Sequence, residues 1–128
     1  MAAEWVRYCK GASEVSIDGD FIEVRFAGGR RHRLRVTEEP DLLRLRGVVA
    51  RAAIVGGLGS SERPEVMAWV RNRATKLVGF GLDRAGRLFG EALVPKAGLT
   101  PSEFLLYVKT TAAACDRLEY QLTGRDTE

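Results

Sequence analysis

The run Leu99-Thr100-Pro101-Ser102-Glu103-Phe104 constrains this chain more than any other stretch. Threonine, then proline, then glutamate three residues after the cap is a helix start. The threonine hydroxyl satisfies an early backbone N–H, proline has none to lose, and the glutamate reaches back to the cap. Behind it, Phe104, Val108, Thr111, Cys115, Leu118 and Leu122 fall on one stripe, with Leu105 and Ala112 alongside, and Gly124 ends the run. At about 1.5 Å per residue the helix is roughly 33 Å long, enough to span a sheet. A rod with one apolar stripe must lie on something, and the residues before it supply a sheet. Val78, Phe80 and Leu82 alternate with Gly79 and Gly81, Asp83-Arg84-Ala85-Gly86 turns the chain, and Arg87 to Val94 returns it as far as Pro95. Glycines weaken a strand unless something packs closely on them. The long helix is therefore expected to lie over Gly79 and Gly81.

Upstream of this hairpin, Pro64 to Lys76 reads as a middle helix. Ser60 or Ser61 can cap it, Pro64 suits its first turn, and Val66, Val70, Ala74 and Leu77 recur at helical spacing with Trp69 beside them. The preceding Gly56-Gly57-Leu58-Gly59 lacks both a Gly-Lys-Ser/Thr ending and the Gly-x-Gly-x-x-Gly spacing, so it reads as a linker and not a phosphate cradle.

The first half begins with a short helix, Ala2 to Lys10, ended by Gly11, with Trp5 and Cys9 on its buried side. Two turns are too few to stand alone, so this helix must dock. From Glu14 the period changes to two. Asp18-Gly19 is a turn signal, Ile22, Val24 and Phe26 alternate with polar residues, and Ala27-Gly28-Gly29-Arg30 makes a hairpin turn. The return strand sets His32, Leu34 and Val36 on one face and Arg31, Arg33 and Arg35 on the other. A third strand starts near Leu42, and its continuation VVARAAIV fits a buried strand or a helix equally. The expected fold is α+β in the order α-β-β-β-α-β-β-α: an antiparallel sheet of about five strands packed by the long C-terminal helix, as a single domain over residues 1–128.

Composition narrows the function classes. A chain of 128 residues that is 45% hydrophobic suits one domain with one core. No apolar run approaches the roughly 18 residues of a membrane helix, and the first residues lack the basic-then-apolar pattern of a secretory signal; a cytoplasmic protein is expected. Cys9 and Cys115 fit neither zinc spacing nor a CxxC pair. His32, the sole histidine, projects with the apolar set and reads as a core residue. Glu38, Glu39 and Asp41, like Asp18 and Asp20, fall in turns that need such residues for backbone reasons. No catalytic set, metal site or cofactor is expected.

The charge is the remaining signal. The formal net charge is +3, most of the basic residues are arginine, and between Arg25 and Arg51 arginines outnumber acids. If the three strands pair as a meander, Arg25, Arg33, Arg35, Arg44 and Arg46 share one face and form a candidate binding patch for an anionic partner. The alternative is a solvated face written in an arginine-biased genome.

Asn72 in the middle helix, the hairpin VGFGLDRAGRLFGEALVP and the opening LTPSEF of the last helix resemble the YbjN family and the wider type III secretion chaperone-like fold. The resemblance covers the second half of the chain by residue and the first half by element order. It implies a non-enzymatic α+β module that dimerises and holds an extended segment of a partner polypeptide; YbjN-like proteins are described as sensory transduction regulators. The expected subunit contact is the middle helix, through Val66, Trp69, Val70 and Arg73, unless those side chains are wholly intramolecular core. Nucleic-acid binding by the arginine face is the alternative function, although Phe21 is the one evident aromatic there for base stacking.

Overall fold

The computed structural model describes residues 3–57, 68 and 77–123. The chain opens with α1 (Glu4–Tyr8), held by docking as its length demands: Trp5 and Cys9 are buried, and the rings of Trp5 and Tyr8 lie 6.5 and 5.5 Å from that of Phe104. Strands β1 (Val15–Asp18), β2 (Phe21–Arg25), β3 (Arg31–Glu38) and β4 (Leu42–Ala50) follow, then the short helix α2 (Ala52–Gly56). After the middle segment come β5 (Gly79–Leu82), β6 (Leu88–Pro95) and α3 (Pro101–Thr123). Among the described residues the sheet has six strands in the order β1-β2-β3-β4-β6-β5, each pair antiparallel.

The sixth strand is β1. Gly19, at φ +59, folds Val15–Asp18 back so that Val15 faces Val24 and Asp18 faces Phe21. The expected three-stranded meander is thus four-stranded. The ambiguous stretch after Leu45 is both things in turn, a strand to Ala50 and a helix from Ala52, broken where Arg51 is extended. A bulge between Val48 and Ala50 lets Val49 and Ala50 both point inward at that end of β4.

Helix α3 lies across one face of this sheet. Its start follows the capping box: the Glu103 N–H donates to Thr100 Oγ1 at 3.2 Å, and that hydroxyl donates to Glu103 Oε1 at 2.9 Å. Phe104, Val108, Thr111, Ala112, Cys115 and Leu118 are fully buried against Ile22, Leu34, Leu45, Leu88 and Val94. Burial of each such large side chain stabilises by about 1.5–3 kcal/mol relative to exposure.

The glycines beneath the helix are not the expected pair. Phe80 takes the inward position of β5, so Gly79 and Gly81 point to the opposite face, where Gly81 lies against the ring of Phe89. The close approach is at Gly47 and Gly90, cross-strand partners in β4 and β6. A Cβ on Gly90 would sit 2.5 Å from Cys115 Sγ, and one on Gly47 would sit 3.1 Å from the same sulfur. The middle-helix positions Val66, Trp69, Val70 and Arg73, and the expected helix end at Gly124, lie outside the described residues. Ala68 is described: it is helical and buried with Val49, Val78, Phe80 and Leu118.

Candidate functional site

Strand parity that buries one set of residues must present the other. Arg25 of β2, Arg33 and Arg35 of β3, and Arg44 and Arg46 of β4 all point away from α3, as the alternation requires. Register then determines which of them meet. Arg35 faces Phe21 on one side and Arg46 on the other, Arg33 faces Glu23, and Arg46 faces Glu91.

Three of the five line a shallow depression of about 670 Å³, together with Phe21, Arg31 and Arg87. The guanidinium of Arg33 stacks 4.2 Å from the Phe21 ring centre and that of Arg35 5.4 Å, while Arg46 stacks 3.8 Å from Phe89. These are cation–π contacts, in which the ring face attracts the cation and fixes a long side chain flat on the sheet. Arg25 and Arg44 stand outside the depression. Arg25 donates to the Ser13 carbonyl at 2.6 Å and to Ser16 Oγ at 3.2 Å. Arg44 donates to Glu39 at 2.8 Å and to Glu91 at 2.7 Å; the Glu39 bond and then the Glu91 charge hold its guanidinium even above the usual arginine range.

The charges on this face are therefore of two kinds. Glu91 bridges Arg44 at 2.7 Å and Arg46 at 2.6 Å, and Glu39 supplies the second negative charge beside Arg44. Arg33 and Arg35 have no carboxylate within ion-pairing distance among the described residues, and both are exposed. Phe89 and Arg87 were the residues missed from sequence. The alternation of β6, with Leu88, Gly90, Ala92 and Val94 inward, places Phe89 outward beside Glu91 and could have found it.

A second cluster lies on the covered face. His32, Asp116 and Glu119 are all buried, each offering one ligand atom within 4.8 Å of the others. His32 Nε2 is 2.9 Å from the Val48 carbonyl, which can only accept, so Nε2 carries the proton and Nδ1 faces Glu119 Oε1 at 3.8 Å. Arg30 pairs with Asp116 at 2.8 Å and already supplies a cation there. The expectation of His32 as a core residue holds. Asp116 and Glu119, one turn apart on α3, were not expected inside, because the apolar stripe was read as narrower than the buried face. Burial pushes the Cys115 thiol up to about 12 and that of Cys9 up to about 11, which keeps both as neutral thiols with no nucleophilic character at neutral pH.

No family model and no curated protein matches the sequence of this chain. Solved structures do match its fold. A chain of the heterodimeric ExoU–SpcU complex from the type III secretion system of Pseudomonas aeruginosa superposes with a TM-score of 0.61 at 15% identity, covering 98% of this chain and 100% of that one. A chain of the ExsC–ExsE complex gives 0.56 at 19% identity over 84% of this chain and 80% of its own. A chain of the HopA1–SchA chaperone–effector complex gives 0.55 at 10% identity, with 93% and 89% covered. The α+β arrangement of six antiparallel strands under one long helix is the type III secretion chaperone-like fold.

Proposed function

We propose that this chain is a non-enzymatic protein-binding module that holds an extended segment of a partner polypeptide, in the manner of a secretion chaperone or a regulator built on the same fold. The observation that carries this reading is the fold itself, shared with chains of three complexes, one of them a chaperone–effector complex. The chemistry agrees with it. Edge strands β1 and β5 each pair on one side only among the described residues, so each offers main-chain donors and acceptors to which an extended chain can add. The titratable cluster at His32 sits in the interior and does not line the open-face depression.

The finer parts of the reading are a homodimer formed through the middle helix, with Val66, Trp69, Val70 and Arg73 at the contact, and action in the cytoplasm. The YbjN likeness rests on the turn and cap residues of the second half. Light scattering on the purified protein at micromolar concentration tests the dimer, which a monomer mass overturns. Co-purification from the native cell, followed by hydrogen exchange on the complex, tests the protein-binding reading. The expected result is one specific polypeptide whose binding slows exchange at Val15–Asp18 or Gly79–Leu82. A protein that retains no polypeptide under conditions that preserve its fold overturns it.

A second reading, nucleic-acid binding, draws on the five arginines that share the open face. Two of them are already paired with Glu39 and Glu91, and the Phe21 and Phe89 rings of this face each carry a guanidinium group, which leaves neither of these two rings bare for a base.

A further inference from the structure

On the open face Arg33 and Arg35 rest against Phe21 with no carboxylate within ion-pairing distance among the described residues. Arg33 and Arg35 are two residues apart on β3, which places their stems roughly 6.6–7 Å apart on one face. Phe21 lies against both guanidinium groups, and both arginines are exposed, so their N–H donors can be reached from solvent. A fork of this kind matches a carboxylate in two-bond geometry and loses little side-chain entropy on binding, because its rotamers are already restricted. Between the arginines the floor is apolar: Phe21 and Val48 line the depression, and Phe89 lies cross-strand from Val48.

The pattern of charge decides the class of ligand. Asp18 and Glu23 stand on the β1–β2 side of the depression and Glu91 on the β6 side, so the basic strip is bounded by carboxylates. A nucleic-acid backbone bears a charge at every nucleotide and would meet that acidic boundary. An extended polypeptide carries charge only where its side chains require it. Its own period of two sets successive same-side residues at the spacing of Arg33 and Arg35.

Resting on the protein-binding reading above, we propose that the open sheet face docks an acidic, extended segment of the partner polypeptide. Its carboxylates pair with Arg33 and Arg35, and its apolar side chains settle on Val48, between the guanidinium-covered rings of Phe21 and Phe89. This site lies on the face opposite α3 and reaches the β1 edge at Ser16 and Asp18.

The test is fluorescence anisotropy with three labelled probes at low salt: a peptide of alternating glutamate and valine, the same peptide with lysine for glutamate, and an oligothymidylate. The whole protein is compared with Arg33→Gln/Arg35→Gln, which keeps polar, hydrogen-bonding side chains beside Phe21, and with Lys10→Gln/Arg117→Gln, which removes the same charge from exposed positions elsewhere. Circular dichroism establishes that each variant is folded; should the glutamine pair not fold, Arg33→Lys/Arg35→Lys takes its place, retaining charge without the planar fork. The expected result is binding of the acidic peptide alone, weakened about tenfold by the change on the face, little by the change elsewhere, and steeply by added salt. Three results overturn the proposal: no binding of the acidic peptide, equal loss in both glutamine variants, or tighter binding of the oligothymidylate. A natural partner that still co-purifies with Arg33→Gln/Arg35→Gln removes this site while leaving the protein-binding reading intact.

Discussion

One set of strands builds two faces of opposite character. Toward α3, His32, Leu34, Leu43, Leu45, Gly47, Leu88, Gly90, Ala92 and Val94 are buried; toward solvent, the residues between them include Arg31, Arg33, Arg35, Arg44, Arg46, Phe89 and Glu91. On the covered face the choice of residue is governed by space. On the open face it is governed by charge and by what each charge rests on. Stability should therefore reside on the first and recognition on the second.

The comparison can be broken most directly at Leu34, which is fully buried in β3. Leu34→Ala is expected to cost about 2–5 kcal/mol, read from the urea midpoint at constant slope. A loss no larger than that from an open-face arginine would mean that the two sides do not differ as described.

Gly90→Ala comes next, at about 1–3 kcal/mol, because the added methyl meets Cys115 Sγ at 2.5 Å and the Phe80 ring at 3.0 Å. Gly90→Ala/Cys115→Ala should regain part of that loss, so the two changes should be non-additive. Strict additivity would show that the sulfur does not set the spacing of helix and sheet.

The turn between β5 and β6, whose Arg87 lines the open-face depression, sharpens the contrast through pH. The Arg87 backbone N–H, the Arg87 guanidinium and the Ala85 N–H hold the Asp83 carboxyl below its ordinary value. A carboxyl with a depressed pKa in the folded state stabilises above its unfolded value, near 3.9, and the gain fades as pH falls through the folded one. Asp83→Asn should accordingly be less stable than the parent at neutral pH, by a small and constant amount. The difference should close below about pH 4. Thermal melts across that range check the sign.

The smallest effect is expected on the open face itself. Arg35→Ala should change stability by no more than about 0.5 kcal/mol, since the residue is exposed and has no carboxylate partner among the described residues. A large loss there would mean that the face is already occupied within the protein.

Much of this arrangement was legible in the sequence, because period-two alternation encodes the face of every strand residue. The capping box at Thr100, the turn at Asp83 and the five arginines on one side all follow from local rules. The rest depended on neighbours that no local rule supplies. Strand β1 is four residues long, too short to separate from its turn, and the side of β5 that meets the helix is set by the Phe80 ring rather than by the room that Gly79 and Gly81 leave. That Glu91 bridges Arg44 and Arg46 is a fact of register between β4 and β6, and that Arg33 and Arg35 have no ion-pair partner among the described residues depends on the neighbours β3 has on either side. His32, Asp116 and Glu119 meet only because α3 crosses β3, a contact between opposite ends of the chain.

The meeting of Gly47, Gly90 and Cys115 has a consequence for how such a sequence can vary. The three positions share one small volume bordered by Leu34 and Phe80, so an atom added at one must be offset at another or in that border. Descendants of this chain should keep the sum of the three sizes nearly constant while the identities drift. Such coupled variation would trace the crossing point of rod and sheet even where little else of the sequence survives.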